Sequence, residues 1–203
     1  GLTGSIGMGK TETSKIFLSY GIPVYDADKA VHNLYSANKK GSLAIKNIFP
    51  NCINKDGSVN RDILSREILG DKEKIKSLEK IIHPLVAEDR KIFIDENRNA
   101  KIIILDIPLL FETGGQKDVD YIIVVDAPDA VQKERVMARP NMTEEKFNNI
   151  ISQQIPNHVK KEKADFIVDT SVSINHAKKQ VKNIIEKINN CLLYTSDAAD
   201  ESS

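Results

Sequence analysis

The sequence predicts an α/β fold in which a parallel sheet of five strands is flanked by helices. Short runs rich in β-branched residues alternate with longer amphipathic stretches, as in sheets whose parallel strands are joined by crossover helices. The runs at 102–105 and 121–125 are almost entirely apolar, which is typical of interior strands covered on both faces. The five strands are predicted at 1–3, 22–25, 102–105, 121–125 and 166–168.

A glycine-rich loop follows the first strand directly. Residues 4–11 read GSIGMGKT, the complete G-x-x-x-x-G-K-[ST] phosphate-binding motif. Gly4, Gly7 and Gly9 allow the backbone to curl, so that its N–H groups and the N-terminus of the next helix can hold phosphates. We expect Lys10 to reach the β- and γ-phosphates and Thr11 to place its hydroxyl on Mg²⁺. The motif therefore predicts a nucleotide site.

A helix is predicted behind this loop. Ile16, Phe17 and Tyr20 recur at helical spacing, and Gly21 stands where a glycine often ends a helix. The loop therefore has the strand before it and the helix after it that its motif requires.

Two carboxylates follow the second strand, at Asp26 and Asp28. In a parallel sheet they would project from the same C-terminal edge that carries the phosphate loop. A carboxylate there can orient or deprotonate an attacking hydroxyl, or help to hold Mg²⁺ through water. It can equally cap the next helix, and one Asp can serve each purpose, so both interpretations stay open.

A long stretch of mostly helical pattern separates the second strand from the third. It is too long for a simple crossover, and we interpret residues 29–98 as an inserted helical subdomain. A surface turn is predicted within it at 51–59, where Asp56 precedes Gly57. Residues 1–190 are expected to form one domain that carries this insertion.

The two ends of the chain depart from the pattern. Only three residues precede Gly4, whereas a strand usually needs about five, so we expect upstream residues of the first strand to be missing. The helical periodicity of the last segment stops at Asn189 and Asn190, and residues 191–203 share none of it. We expect 191–203 to be a non-native tail outside the fold, and the alternative is a frayed acidic terminus.

Charge and composition restrict the partners. The chain has 29 basic and 29 acidic residues, so it has no general electrostatic attraction for nucleic acid or for an anionic membrane. It shows no apolar run long enough to span a membrane and no secretory signal. Two cysteines favour free thiols over a disulfide framework. We expect a cytoplasmic protein without nucleic-acid or membrane partners, and we favour a monomer.

Taken in series, the motifs resemble the dephospho-CoA kinase family. The phosphate loop alone occurs in many unrelated proteins, but the later motifs in this order are specific. The resemblance covers residues 1 to about 190, and it implies a P-loop kinase-like fold with an acceptor-binding insertion and a small lid at 135–162. The segments that carry it are 1–11, 22–28, 81–84 with His83-Pro84, 106–112 with Pro-Leu-Leu-Phe-Glu, 124–127, Arg135, Arg139, 142–145, Gln154, Lys160 and 164–165.

The resemblance implies an activity and assigns residues to it. The γ-phosphoryl group of ATP would pass to the ribose 3′-hydroxyl of dephospho-coenzyme A, in the presence of Mg²⁺, as the last step of coenzyme A synthesis. Asp26 would activate the acceptor hydroxyl, with Asp28 as its close rival. Arg139 would neutralise charge on the transferring group. ATP would contact Gly4, Gly7, Met8, Gly9, Lys10, Thr11, Glu12 and Arg135, and the acceptor would contact Asp28, His83, Pro108 and Leu109.

Some of these positions carry open alternatives. Met8 and Glu12 depart from the family pattern, and we expect both to weaken ATP binding, while Thr170 replaces an Asn near the adenine. Asp106 ends its strand and is a further candidate for the metal shell. His83 either lines the acceptor site or is a helix-terminal histidine facing the dipole. The two arginines either serve the lid or lie on a solvated helix face.

Two other functions compete with this one. A kinase for another small acceptor, such as a nucleoside monophosphate, shikimate or gluconate, would share the loop, but the Asp-Ala-Asp and His-Pro motifs argue against it. A nucleotide-dependent switch of the GTPase kind would need an Asn-Lys-x-Asp signature, and the residues 54–57 read Asn-Lys-Asp-Gly. That spacing argues against a switch.

Overall fold

The five-stranded parallel sheet is confirmed. The computed structural model describes residues 1–200, with side chains as far as 192, and residues 201–203 lie outside the described residues. The strand order is β2-β3-β1-β4-β5, with parallel pairing of β1 to β3 and β4 and of β4 to β5. The strands are β1 Leu2–Thr3, β2 Val24–Asp26, β3 Ile104–Asp106, β4 Ile123–Asp126 and β5 Phe166–Asp169.

The central strand is β1. Leu2 lies opposite Asp106 of β3 on one side and Ile123 of β4 on the other. The apolar runs at 102–105 and 121–125 therefore supply interior strands, as predicted. This register places the start of the phosphate loop in the middle of the sheet, beside the last residue of β3.

Nine helices are described between Gly1 and Asp200, joined by short 3₁₀ turns at Pro50–Cys52 and Gly115–Asp118. No helix in this part of the chain is long and apolar enough to cross a membrane. The helices are α1 Lys10–Ser19, α2 Ala27–Leu34, α3 Lys40–Ile48, α4 Arg61–Ile68, α5 Lys72–Glu96, α6 Asp129–Met137, α7 Glu144–Gln153, α8 Asn157–Glu162 and α9 Ile174–Asp200.

The chain forms two compact units. The sheet unit contains Gly1–Tyr25 and the chain from Asn99 onward, and the helical unit contains Asp26–Arg98. The helical unit includes the predicted insertion at 29–98. The expectation of a single domain over 1–190 stays a prediction.

Each unit has its own apolar core. In the sheet unit, α1 and α9 contribute Phe17 and Val181, which pack with Val125 and Val168 of the strands, and all four side chains are fully buried. In the helical unit the buried residues of the apolar core are Ile45, Phe49, Cys52, Val59, Leu64 and Ile82. Burial raises the pKa of the Cys52 thiol, which keeps it a neutral apolar side chain.

Two helices run past their predicted ends. Helix α5 continues through Pro84, so His83 is not helix-terminal as one of its interpretations required. Proline normally breaks a helix. Here Ile82 before it and Val86 after it pack on the same core, and this packing outweighs the helix-breaking preference of Pro84. Helix α9 continues past Asn190, because asparagine disfavours a helix only weakly. The predicted tail at 191–203 thus begins inside a helix, and 201–203 lie outside the described residues.

Candidate active site

Glycine gives the phosphate loop its curl. Gly7 and Gly9 have φ angles of 79° and 90°, a region that other residues rarely adopt. A Cβ atom on Gly7 would lie 2.6 Å from a methyl group of Val136, and one on Gly9 would lie 2.7 Å from the hydroxyl oxygen of Thr170. Both the conformation and the close neighbours therefore require glycine at these two positions.

Helix α1 begins inside the loop without a side-chain cap. The N–H groups of Lys10, Thr11 and Glu12 have no carbonyl partner within the helix, because a helix leaves its first turn of donors unpaired. These donors and the positive end of the helix dipole favour an anion here. Thr11 is exposed in the same turn, so its hydroxyl is accessible to a ligand.

The Lys10 ammonium makes an ion pair with Asp106 at the end of β3. Ser14, one turn further along α1, donates its hydroxyl to the other carboxylate oxygen of Asp106. The Asp106 residue is only 3% exposed. A buried carboxylate needs such partners, so Asp106 ties the lysine of the loop to the neighbouring strand.

The first half of the loop is held by three side-chain amides from distant parts of the chain. Gln132 of α6 donates to the carbonyl of Ile6 at 2.7 Å, and the N–H of Ile6 donates to Gln154 at 3.0 Å. The N–H of Ser5 donates to Asn157 of α8 at 3.3 Å. The backbone of Ser5 and Ile6 is therefore fixed from the side, before any nucleotide binds.

The two arginines have different surroundings. Arg135 donates to the hydroxyl and the carbonyl of Thr170 at 2.9 and 2.7 Å, and it reaches the carbonyl of Gly7 at 3.5 Å. The Thr170 hydroxyl in turn donates to the carbonyl of Met8 at 2.9 Å. Arg139 follows the last residue of α6 and its cap, and it is exposed. Its side chain makes no hydrogen bond or ion pair with any residue that the structure describes.

The unusual residues of the loop lie in contrasting places. The Met8 side chain is 2% exposed and packs in the core of the sheet unit, so only its backbone remains near the loop surface. Glu12 is exposed on α1 and makes an ion pair with Lys15 at 2.7 Å. This pair offsets part of the negative charge that Glu12 adds. Weaker ATP binding through either residue stays a prediction.

Asp26 caps a helix. Its Oδ1 accepts a hydrogen bond from the N–H of Lys29 at 2.9 Å, at the start of α2, which is the capping interpretation of this residue. Asp28 lies in the first turn of α2, and both carboxylates are exposed. A carboxylate has a second oxygen, so capping by Asp26 leaves it able to act as a base.

The remaining candidates for the acceptor site belong to different units. His83 is exposed on α5 of the helical unit. Pro108 and Leu109 follow β3 in the sheet unit, where the Pro108 carbonyl accepts from the Thr3 hydroxyl at 3.0 Å and Leu109 is 41% exposed. An exposed leucine beside the strand edge is available for an apolar ligand group.

Three residues that shape the loop were not predicted from the sequence: Ser14, Gln132 and Asn157. The contact made by Thr170 was not predicted either. Ser14 lies four residues after Lys10, so helical spacing could have placed it on the same face. Gln132 is 6% exposed on a face of α6 that also buries Val136. The only sequence signal for Gln132 was a polar residue at a helix position where the spacing predicts a buried apolar one.

Comparison with known proteins identifies the family. A family model described as dephospho-CoA kinase matches residues 1–176. A dephospho-CoA kinase of Bartonella quintana is 50% identical over 190 residues, which are 93% of this chain and 96% of that protein. The chain belongs to the dephospho-CoA kinase family. It is accordingly a phosphotransferase, and ATP is the nucleotide that the family uses.

Other relatives agree with this assignment. A dephospho-CoA kinase of Mesorhizobium japonicum is 47% identical, covering 93% of this chain and 95% of that protein. Among solved structures, TT1252 from Thermus thermophilus is 28% identical with a TM-score of 0.78, and dephospho-CoA kinase from Campylobacter jejuni is 26% identical with a TM-score of 0.63. Each match covers 92% of this chain and 95% of the other. The family fold is therefore preserved in this chain.

Proposed function

We propose that this protein transfers the γ-phosphoryl group of ATP to the ribose 3′-hydroxyl of dephospho-coenzyme A, giving ADP and coenzyme A. The observation that carries the proposal is a complete phosphate loop, curled by its glycines at the centre of the sheet, in a chain of the dephospho-CoA kinase family. The reaction would be the last step of coenzyme A synthesis.

The loop supplies most of the charge stabilisation. Backbone N–H groups from Gly7 to Thr11 hold the phosphates, and the Lys10 ammonium lies over the β- and γ-phosphates once the nucleotide competes with Asp106 for it. Phosphoryl transfer needs little covalent help from the protein, so positioning and charge neutralisation account for most of the catalysis.

The residues present suit Mg²⁺. Magnesium is commonly held by one or two protein oxygens together with the phosphates of the substrate. The exposed hydroxyl of Thr11 and the carboxylate of Asp106 are such oxygens, and among the described residues no cluster of three His, Cys, Asp or Glu side chains offers an alternative metal site. When bound, the ion would neutralise charge on the β- and γ-phosphate oxygens.

The acceptor hydroxyl needs a base. We assign this role to Asp26, which ends β2 at the edge of the sheet where ligands of parallel α/β folds bind, with Asp28 as the alternative. Asp28, His83, Pro108 and Leu109 are assigned to the acceptor, and the helical unit is assigned as its main binding region.

Lid residues at 135–162 complete the site. Arg139 is exposed and unengaged among the described residues, so it is available to meet the transferring phosphoryl group. Arg135 is held on Thr170 beside the loop and is assigned to the bound ATP. We place the enzyme in the cytoplasm as a monomer, in keeping with two cysteines that form no disulfide and a balanced formal charge.

An acceptor panel tests the proposal. Purified protein is incubated with Mg-ATP and, separately, dephospho-coenzyme A, adenosine, AMP, shikimate or gluconate, while ADP release is followed. We expect turnover with dephospho-coenzyme A and only background ADP release with the others. Faster turnover with any other acceptor would overturn the assignment.

A further inference from the structure

We infer that Glu112 and Lys160 form a positioning pair that fixes the shape of the phosphate loop from a distance. Among the described residues, neither side chain makes a hydrogen bond or an ion pair with the loop. They act through residues 154–160, which run from the end of α7 into α8 and carry two of the amide side chains that hold Ser5 and Ile6. The inference extends the proposed function, and it rests on that function only for the assignment of ATP as the ligand of the loop.

The pair is deeply buried. Lys160 is 0% exposed, and its ammonium lies 2.8 Å from Oε1 of Glu112, whose side chain is 14% exposed. The two groups form an ion pair without an aligned hydrogen bond, since Lys160 Nζ has no hydrogen-bond partner among the described residues. The other carboxylate oxygen, Glu112 Oε2, has none there either. A buried lysine is costly to desolvate, and an apolar pair of similar size would fill the same space at least as stably.

The charge of Glu112 has a second use. Its Oε1 also accepts a hydrogen bond from the N–H of Ile155 at 2.9 Å. One carboxylate oxygen of Glu112 therefore contacts the segment near both of its ends, through the N–H of Ile155 and through the ammonium of Lys160. A pair of apolar side chains could not hold the Ile155 N–H.

Residues 154–160 make direct hydrogen bonds to the phosphate loop. Gln154, which precedes Ile155, accepts from the N–H of Ile6 at 3.0 Å. Asn157, between Ile155 and Lys160, accepts from the N–H and the hydroxyl of Ser5, both at 3.3 Å. A shift of the segment would move both acceptors together.

The amide of Asn157 has a fixed orientation. Its nitrogen donates to Oδ1 of Asp126 at 2.7 Å, and Lys161 holds the other oxygen of Asp126 at 2.8 Å. The Asn157 carbonyl is thereby directed to Ser5. Glu112 sets where the segment lies, and Asp126 sets which way its amide points.

The test separates positioning from stability. In Glu112→Leu/Lys160→Met the charges are removed together, so no uncompensated buried charge remains and the protein should fold. We expect ATP to bind about tenfold more weakly, because small misplacements of a site are costly. The amide resonances of Ser5 and Ile6 should shift, while the KM for dephospho-coenzyme A stays unchanged. ATP affinity is measured by calorimetry without acceptor.

A matched control is available on the same stretch of chain. Lys163 is exposed, and its ammonium lies 6.0 Å from the centre of the Phe111 ring. Its backbone N–H donates to the carbonyl of Lys160 at 3.1 Å, a bond that a change of the Lys163 side chain leaves in place. Lys163→Met removes one charge close to Lys160, and it should leave ATP affinity and both amide resonances at their parental values.

Each outcome decides the inference. Parental ATP affinity and unshifted Ser5 and Ile6 resonances in the folded double variant would overturn it. If that variant does not fold, Gln154→Ala tests the same path at its half-buried end, where parental ATP affinity would likewise refute it. Failure of the proposed function is distinguishable, since a parental protein that binds ATP without phosphorylating dephospho-coenzyme A leaves these binding measurements valid.

Discussion

The sheet unit, which carries the phosphate loop, and the helical unit, to which we assign the acceptor, are built differently. In the sheet unit, side chains from widely separated elements converge on the phosphate loop, among them Asp106 from β3, Gln132 from α6 and Asn157 from α8. In the helical unit, the candidate residues Asp26 and His83 are exposed, and the hydrogen bond of Asp26 spans only three residues.

The difference indicates where chemistry and stability are coupled. Loop residues are embedded in a buried polar network, so replacing one disturbs both ligand binding and folding. The helical unit is stabilised by a separate apolar core, and its exposed polar residues can be replaced with little effect on folding.

Lys10→Ala should cause the greatest loss. We expect kcat to fall by roughly 10²–10³ or more, because a preorganised charge at the transferring group is removed. Stability should fall as well, by about 3 kcal/mol, since the buried carboxylate of Asp106 loses its ion pair with Lys10. Adding Asp106→Asn to Lys10→Ala should recover stability without activity. Near-parental turnover in folded Lys10→Ala would remove the claim for the loop.

Asp26→Asn should affect chemistry alone. Asparagine caps helices as well as aspartate does, so thermal stability should stay parental. Loss of the base should lower kcat by about 10²–10⁴. Asp28→Asn is the matched control, with the same charge change two residues away and a smaller expected loss. A larger loss in Asp28→Asn would reverse the assignment of the two carboxylates.

Arg139→Ala should lower kcat by roughly ten- to a hundredfold, the value of one or two charge-assisted contacts, while the Kd for ATP changes less. Arg139→Lys should restore little, because an ammonium lacks the planar fork of a guanidinium. Since Arg139 is exposed, its removal should alter stability by only a few tenths of a kcal/mol. Parental kcat in both variants would exclude a role for Arg139 and direct attention to Arg135.

Ser171→Ala should give a small effect that depends on pH. The hydroxyl and the N–H of Ser171 donate to Asp169 at 2.6 and 2.8 Å and hold the pKa of that carboxyl below its ordinary value. A depressed carboxyl pKa stabilises the fold above the unfolded pKa of about 4, and the gain disappears as the pH falls through the folded pKa. Denaturant unfolding should therefore show Ser171→Ala less stable than the parent at pH 7, with a smaller difference at pH 3. An equal difference at both pH values would exclude this linkage.

The sequence predicted what depends on neighbours along the chain. The phosphate loop is one uninterrupted motif, and the strands at 102–105 and 121–125 are apolar runs, so the sheet and the position of Lys10 were both foreseeable. The capping hydrogen bond of Asp26 also depends on a residue only three positions away, and it was one of two interpretations offered.

The rest depends on contacts between residues far apart in sequence. Nothing in the sequence shows that Gln132 and Asn157 meet Ile6 and Ser5, because such contacts require the tertiary fold. The arginines were paired by their spacing of four, yet α6 ends between them and only Arg135 stays bound beside the loop. One interpretation of His83 placed it at the end of a helix, but the helix continues through Pro84 because core packing on both sides of the proline outweighs its local preference.

Mapping the two ligands on the protein tests the contrast most directly. Amide resonances are followed while the enzyme is titrated first with a non-hydrolysable ATP analogue and Mg²⁺, and then, in a separate sample, with dephospho-coenzyme A. The account predicts that the nucleotide shifts residues 4–12 and that dephospho-coenzyme A shifts residues of Asp26–Arg98. Shifts by dephospho-coenzyme A confined to residues 4–12, with the helical unit unchanged, would contradict it.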